Sequence, residues 1–239
     1  ECALCREGRG GLSLPITPSF RLDGRRAIVT GAGRGIGLAA AAALADAGAE
    51  VTLVARTASE IEAAAAEIGK VAVTATLDVL DIAAVKTFFA ERPAFHILVN
   101  NAGTNRPKPM WEVSEEDYDA VLDLNVKSAF FVAQACVQRM LAEGATGSLI
   151  HMGSQMGHVG GPNRALYCGS KWALEGMNKA MALDLASQNI RSNTIAPTFI
   201  ETPLTKPFFE DAAFKEHVLS KIKLGRVGGF SAAIQVHDV

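Results

Sequence analysis

The sequence predicts an α/β protein, a doubly wound parallel sheet in one domain, and three observations predict it. From Arg25 onward, short β-branched apolar runs alternate with amphipathic or alanine-rich stretches, the pattern of right-handed βαβ units. The apolar runs are continuous, as in parallel strands covered on both faces. With 239 residues, 49% hydrophobic and 20% charged, the chain suffices for one large core.

In order, strand candidates are Ala27–Thr30, Val51–Ala55, Val71–Leu77, Ile97–Asn100, Ser148–Met152 and Arg191–Ala196. Between them lie helix candidates near Ile36–Ala47, Ser59–Ile68, Ile82–Glu91, Glu115–Glu143 and Leu166–Ser187. Ser114 followed by Glu115-Glu116-Asp117 supplies an N-cap and an acidic first turn for the fourth helix. Gly48, Gly69 and Gly144 stand where helix C-caps belong. Residues 1–19 are rich in Gly, Arg and Pro and lack the apolar core of a secretory signal. They are expected to be a disordered extension, followed by one domain over 20–228 and an atypical tail over 229–239.

A net charge of −2 and a pI near 6.3 leave no electrostatic footprint for nucleic acid or a membrane surface. No run of about 20 apolar residues is apparent that would cross a bilayer. Cys136 and Cys168 fall in predicted helices, which suits reduced thiols and a cytoplasmic protein. Cys2 and Cys5 have zinc-like spacing, but no second Cys or His pair answers them. No metal site is expected.

The first strand runs into Thr30-Gly31-Ala32-Gly33-Arg34-Gly35-Ile36-Gly37 and then a helix. Glycines there permit a tight turn and let backbone N–H groups approach a pyrophosphate resting on the helix N-terminus. The loop predicts dinucleotide binding. The second strand ends Val54-Ala55-Arg56, with a guanidinium where a carboxylate would hold the adenosine ribose hydroxyls of NAD. Arg34 and Arg56 suit a 2′-phosphate, so NADP(H) is favoured over NAD(H). Asp78-Val79 would flank the adenine, unless Asp78 or Asp81 merely caps the next helix. Asn100-Asn101-Ala102-Gly103 follows the fourth strand, at the switch-point crevice of such a sheet.

Tyr167 and Lys171 are four residues apart at the start of a helix, so phenol and ammonium share one face. A free tyrosine, with a pKa near 10, is a poor base at neutral pH. Bringing it to about 7 takes on the order of 4 kcal/mol of differential stabilisation. A nearby lysine, aided by a cationic cofactor ring in a dry cleft, is expected to supply it.

The combination of TGAGRGIG (30–37), NNAG (100–103), Asn125, Ser154, Tyr167 and Lys171 resembles the single-domain short-chain dehydrogenase/reductases over roughly Leu22 to Val227. It is similar to 3-oxoacyl-carrier-protein reductases and to sugar or gluconate dehydrogenases. Ser154 precedes Tyr167 by thirteen positions, the spacing of that family. The resemblance implies a Rossmann sheet with strand order 3-2-1-4-5-6, whose seventh strand is missing or altered here. It implies hydride transfer between a nicotinamide and a secondary alcohol or ketone, without a metal. Ser154 would orient the substrate oxygen and Tyr167 would exchange a proton with it. Lys171 would lower the Tyr167 pKa and hold the nicotinamide ribose, and Asn125 would hold a water linking Lys171 to solvent. Pro197, Ile200 and Thr202, after the sixth strand, would cover the nicotinamide.

Two departures stand out. Thr198 replaces the family's usual Gly after Pro197, which is expected to alter the loop because Thr disfavours positive φ. After Gly228 the chain departs from the family pattern, in which a helix and strand that often build the homo-oligomer follow; their expected absence would leave strand six an exposed edge. The resemblance thus implies a small carbonyl or alcohol substrate as partner, with oligomerisation in question. The substrate pocket is expected from Asn105, Arg106, Trp111, Gln155, His158, Asn163 and Arg164, with Phe199 to Phe209 as a lid. A sugar, sugar acid or 3-oxoacyl thioester would fit these groups. The alternative reading is a catalytically silent NADP-binding or sensor protein on the same fold.

Overall fold

The computed structural model describes residues 19–203 and 205–229. Most of the N-terminal extension and the tail beyond Gly229, with the question of a seventh strand, lie outside the described residues. Among the described residues six strands form one sheet: β1 (Arg26–Thr30), β2 (Glu50–Ala55), β3 (Ala72–Thr76), β4 (Ile97–Asn100), β5 (Gly147–Met152) and β6 (Ile190–Ile195). All are parallel, in the order β3-β2-β1-β4-β5-β6. Central β1 sets Ala27 beside Val51 of β2 on one side and Ile97 of β4 on the other. The order reverses between β1 and β4, opening a crevice at the carboxyl ends of these strands.

Among the described residues seven α-helices accompany the sheet: α1 (Gly35–Asp46), α2 (Ala58–Ile68), α3 (Ile82–Ala90), α4 (Glu115–Leu122), α5 (Ser128–Glu143), α6 (Ala165–Leu185) and α7 (Ala212–Lys221). Side chains alternate across the strands, so successive β1 residues enter two different cores. Ile28 joins Leu98 and Leu149 under Phe88 and Phe89 of α3 and Val132, Cys136 and Met140 of α5. Val29 joins Val51, Leu53 and Val99 against Ala41 of α1 and Ile61 of α2. Small side chains on α1 let it lie close to the sheet, with Ala39 and Ala41 fully buried. That closeness aims the α1 N-terminus at the crevice.

Four expectations need correction. Strand β3 is an edge, and Val71 and Val73 at that edge are exposed rather than covered on both faces. The predicted long helix over Glu115–Glu143 contains a π-helical turn at Asp123–Lys127, between α4 and α5. That same stretch is long and apolar enough to cross a membrane by length and composition, contrary to expectation. Its Val132, Ala133, Cys136 and Met140 are instead buried in the core. The segment read only as a lid contains a 3-10 turn (Lys206–Glu210) and leads into α7, capped by Asp211 through the N–H groups of Ala213 and Phe214. Sequence missed this element because its apolar residues lack a clear helical stripe.

The punctuation is otherwise as expected. Gly69 and Gly144 are C-caps of α2 and α5, both with positive φ. Gly48 follows the Ala47 cap of α1 at φ 105°. Ser114 and Asp117 form a reciprocal capping box on α4.

Candidate active site

The β1–α1 turn is built for close approach. Gly31 and Gly35 have φ of 64° and 59°, conformations that side chains disfavour. A Cβ on Gly37 would collide with the Gly31 carbonyl oxygen and come within 2.5 Å of Asn101 Nδ2. Asn101 explains that contact: its Nδ2 donates to the carbonyls of Thr30 and Gly31 at 3.0 and 3.2 Å. The Thr30 hydroxyl accepts from the backbone N–H groups of Asn101 and Ala102 at 3.0 and 3.1 Å. The NNAG segment and the glycine loop are therefore one clamped unit.

At the expected adenosine end, Arg56 is exposed just past β2. Arg34 is engaged by Glu60 in the first turn of α2, Nη1 to Oε1 at 3.2 Å. Glu60 also crowds Gly33, where a Cβ would come 2.8 Å from the Glu60 Cβ. Sequence reading did not anticipate this acid beside the arginine pair. Asp81, rather than Asp78, caps α3 by accepting from Ala84 N–H at 2.9 Å. Asp78 accepts from Leu80 N–H at 3.0 Å, and Val79 is buried beside it.

Ser154 follows β5, buried, its hydroxyl accepting from Met156 N–H at 3.1 Å. Tyr167 and Lys171 lie on the first turns of α6, with the Lys171 Nζ 5.7 Å from the Tyr167 ring centroid. Lys171 is 5% exposed and donates to the Met152 carbonyl at 2.7 Å. Burial lowers its pKa from 10.5 to about 8, against the opposing charge of Glu175. The phenol differs from expectation: burial raises its pKa above 10, while hydrogen bonding to Ser154 and the charge of Arg164 pull the other way. In the protein alone, desolvation outweighs the Ser154 hydrogen bond and the Arg164 charge, and the expected depression by Lys171 is not among the influences on the phenol.

Asn125 sits in the π-helical turn and is buried. Its Oδ1 accepts from Thr104 N–H at 2.8 Å, and its Nδ2 donates to the Thr104 carbonyl and to Ser170 Oγ at 2.9 and 3.0 Å. Both amide protons are committed, and the side chain joins the β4 loop to α6. A π-turn is a frequent device for aiming such a residue.

Behind Lys171 lies a polar layer that sequence reading missed. Glu175, one turn further along α6, is buried; its Oε2 accepts from Thr194 Oγ1 at 2.8 Å. Its Oε1 has no hydrogen-bond partner and lies 3.5 Å from Nε2 of His158. His151 is fully buried with neither ring nitrogen partnered, and burial together with the Lys171 charge lowers its pKa to about 4. It is therefore neutral at physiological pH. The spacing 167, 171, 175 was a visible signal: an acid on the stripe that carries the Tyr and Lys.

The lid folds back onto the cofactor loop. Thr202 approaches Gly35, whose Cβ would lie 3.7 Å from it, and Thr205 Oγ1 donates to the Ile200 carbonyl. The Pro197 carbonyl accepts from Gln155 N–H at 2.9 Å. Thr198 stays out of the positive-φ region that Thr disfavours, and its hydroxyl donates to Gln155 Oε1 at 3.0 Å. Phe199 packs edge-on against Phe209 and Phe214, joining the lid to α7.

Among the residues expected to line the substrate pocket, Arg106 pairs with Glu116 and Asp117, each at 3.1 Å, and Lys108 also binds Asp117. Lys108, Ser114 and Arg106 together hold the Asp117 carboxyl far below its ordinary range. Lys108 N–H donates to the Asn163 carbonyl at 3.1 Å, tying the two loops that flank the cleft. Trp111 is 81% exposed.

The sheet, the glycine cradle and the Ser-Tyr-Lys convergence define a dinucleotide-dependent oxidoreductase. Comparison with known proteins agrees: the short chain dehydrogenase family matches residues 25–213. L-xylulose reductase of Bos taurus is 35% identical over 207 residues, covering 87% of this chain and 84% of the relative. A structure assigned as a 2-deoxy-D-gluconate 3-dehydrogenase from Agrobacterium tumefaciens, with bound NADP, superposes with TM-score 0.85 at 38% identity, covering 91% and 90%. A gluconate 5-dehydrogenase from Burkholderia cenocepacia, solved with NADP and tartrate, gives TM-score 0.84 at 36% identity, covering 90% and 89%. The chain belongs to the short-chain dehydrogenase family, and it is an oxidoreductase.

Proposed function

We propose that this protein interconverts a secondary alcohol and a ketone on a sugar-like substrate, with NADP(H) as the cofactor. The observation that carries the reading is the convergence of Ser154, Tyr167 and Lys171 at the carboxyl end of the sheet, beside a glycine cradle that any Cβ at Gly37 would fill. The residues fit the cofactor. Backbone N–H groups from Gly31 to Gly37 would receive the pyrophosphate, and Arg34 and Arg56 would receive the 2′-phosphate. Asp78 and Val79 bound the adenine; Asn101, Ala102, Gly103, Pro197, Ile200 and Thr202 bound the nicotinamide half.

When bound, the nicotinamide supplies or accepts the hydride at C4. Tyr167 gives a proton to the substrate oxygen in reduction and takes it back in oxidation. The Ser154 hydroxyl hydrogen-bonds that oxygen and fixes its distance from the phenol. Lys171 holds the nicotinamide ribose, and its charge favours the phenolate. Asn125 positions the Thr104 backbone and Ser170, keeping the β4 loop in register with α6. Gln155, His158 and Arg164 line the approach with polar groups, which suits a polyhydroxylated substrate better than an acyl chain. The sugar-directed names of the relatives support that choice.

The test mixes the protein with NADPH and a panel of ketoses, keto acids and 3-oxoacyl thioesters. Tyr167→Phe is expected to lower kcat/KM by about 10²- to 10⁴-fold, the worth of a positioned acid, while NADPH fluorescence titration stays within about threefold. Undiminished turnover in Tyr167→Phe refutes the mechanism. NADPH binding without turnover of any carbonyl supports the sensor reading instead.

A further inference from the structure

We propose that Arg164 is a carboxylate anchor in the substrate half of the cleft, so that the substrate is an anionic hydroxy or keto acid rather than a neutral polyol. This deepens the oxidoreductase reading and rests on it. Arg164 immediately precedes α6, three residues before Tyr167. Its charge is felt at the Tyr167 phenol, and its guanidinium faces the lid ring of Phe208, 5.7 Å from the ring centroid. The guanidinium thus stands between the acid–base residue and the lid.

Its Nη1 is buried and has no hydrogen-bond partner. Among the described residues no carboxylate pairs with it, whereas Arg106 and Lys108 nearby are held by Glu116 and Asp117. A buried guanidinium N–H without an acceptor is costly. A carboxylate completes it with two parallel N–H···O bonds. Arg34 and Arg56, the proposed 2′-phosphate ligands, follow β1 and β2, whereas Arg164 precedes α6, which packs against β6 at the other end of the sheet.

The experiment is calorimetric titration of the NADP⁺-loaded protein with D-gluconate and with D-glucitol, which differ at one end by carboxylate against hydroxymethyl. Wild type is expected to bind gluconate at least about tenfold more tightly. Arg164→Met is expected to weaken gluconate by roughly 10- to 100-fold, the range of a charged hydrogen-bonded pair. Glucitol and NADP⁺ binding should stay within about threefold. Arg164→Lys keeps the charge but not the fork, and should fall between the two; it also decides the matter if the Met variant does not fold. Equal binding of both sugars by wild type, no binding of either, or an intact gluconate preference in Arg164→Met overturns the proposal. Tyr167-dependent reduction of a neutral ketose in the same preparation would leave the oxidoreductase reading standing while the anchor fails.

Discussion

Replacing Glu175 with Gln tests what keeps the buried Lys171 charged. Burial brings the Lys171 pKa from 10.5 to about 8, so charging it in the folded protein costs on the order of 3 kcal/mol. The opposing influence is the Glu175 carboxylate, one helical turn away and itself buried. Gln has nearly the same shape and can still accept from Thr194 through its carbonyl oxygen, but carries no charge. Loss of an opposing charge lowers an ammonium pKa, so the Lys171 pKa should fall further, by about one unit. The alkaline limb of kcat/KM for carbonyl reduction should then move down by about one pH unit. Urea unfolding of the cofactor-free protein gives an independent reading. Because the folded pKa lies below the unfolded value, the unfolded chain binds more protons between about 8 and 10.5. This group therefore makes wild-type stability rise with pH across that window, and its full cost is present below it. In Glu175→Gln the rise should begin about one unit lower. Superimposable pH–rate profiles together with an unshifted stability rise would refute the reasoning.

Other substitutions probe the cofactor end. Gly37→Ala puts a Cβ against the Gly31 carbonyl and Asn101; it should cost more than about 2 kcal/mol by overpacking, or abolish NADPH fluorescence enhancement if the loop yields. A variant with wild-type melting temperature and NADPH affinity would contradict the clamp. Arg34→Ala should weaken NADPH by about tenfold and NADH hardly at all, as expected for one charged phosphate contact. Glu60→Gln releases Arg34 and should strengthen NADPH by a few-fold; equal changes for both cofactors would place neither residue at the 2′-phosphate.

Part of this site is written in local spacing. Tyr167 and Lys171 meet because four residues make about one helical turn, and the Gly31–Gly37 loop is legible because strand, turn and helix follow one another along the chain. The strand order was reached through family resemblance, and the sheet has it. Distant partners settled the remainder. Glu175 lies on the visible stripe, yet its role depends on Thr194 of β6 and His158 of the preceding loop. Arg34 read as a free phosphate ligand until α2 brought Glu60 against it. That Thr198 avoids positive φ follows from its type, but the partner its hydroxyl finds, Gln155, comes from a distant loop. The Tyr167 phenol looked depressed because charge is visible in a sequence and desolvation is not. Residue order determines which groups share a turn or a strand end. Packing alone decides which of them lose water and which find a partner, and those two quantities set the pKa values and free valences on which the chemistry depends.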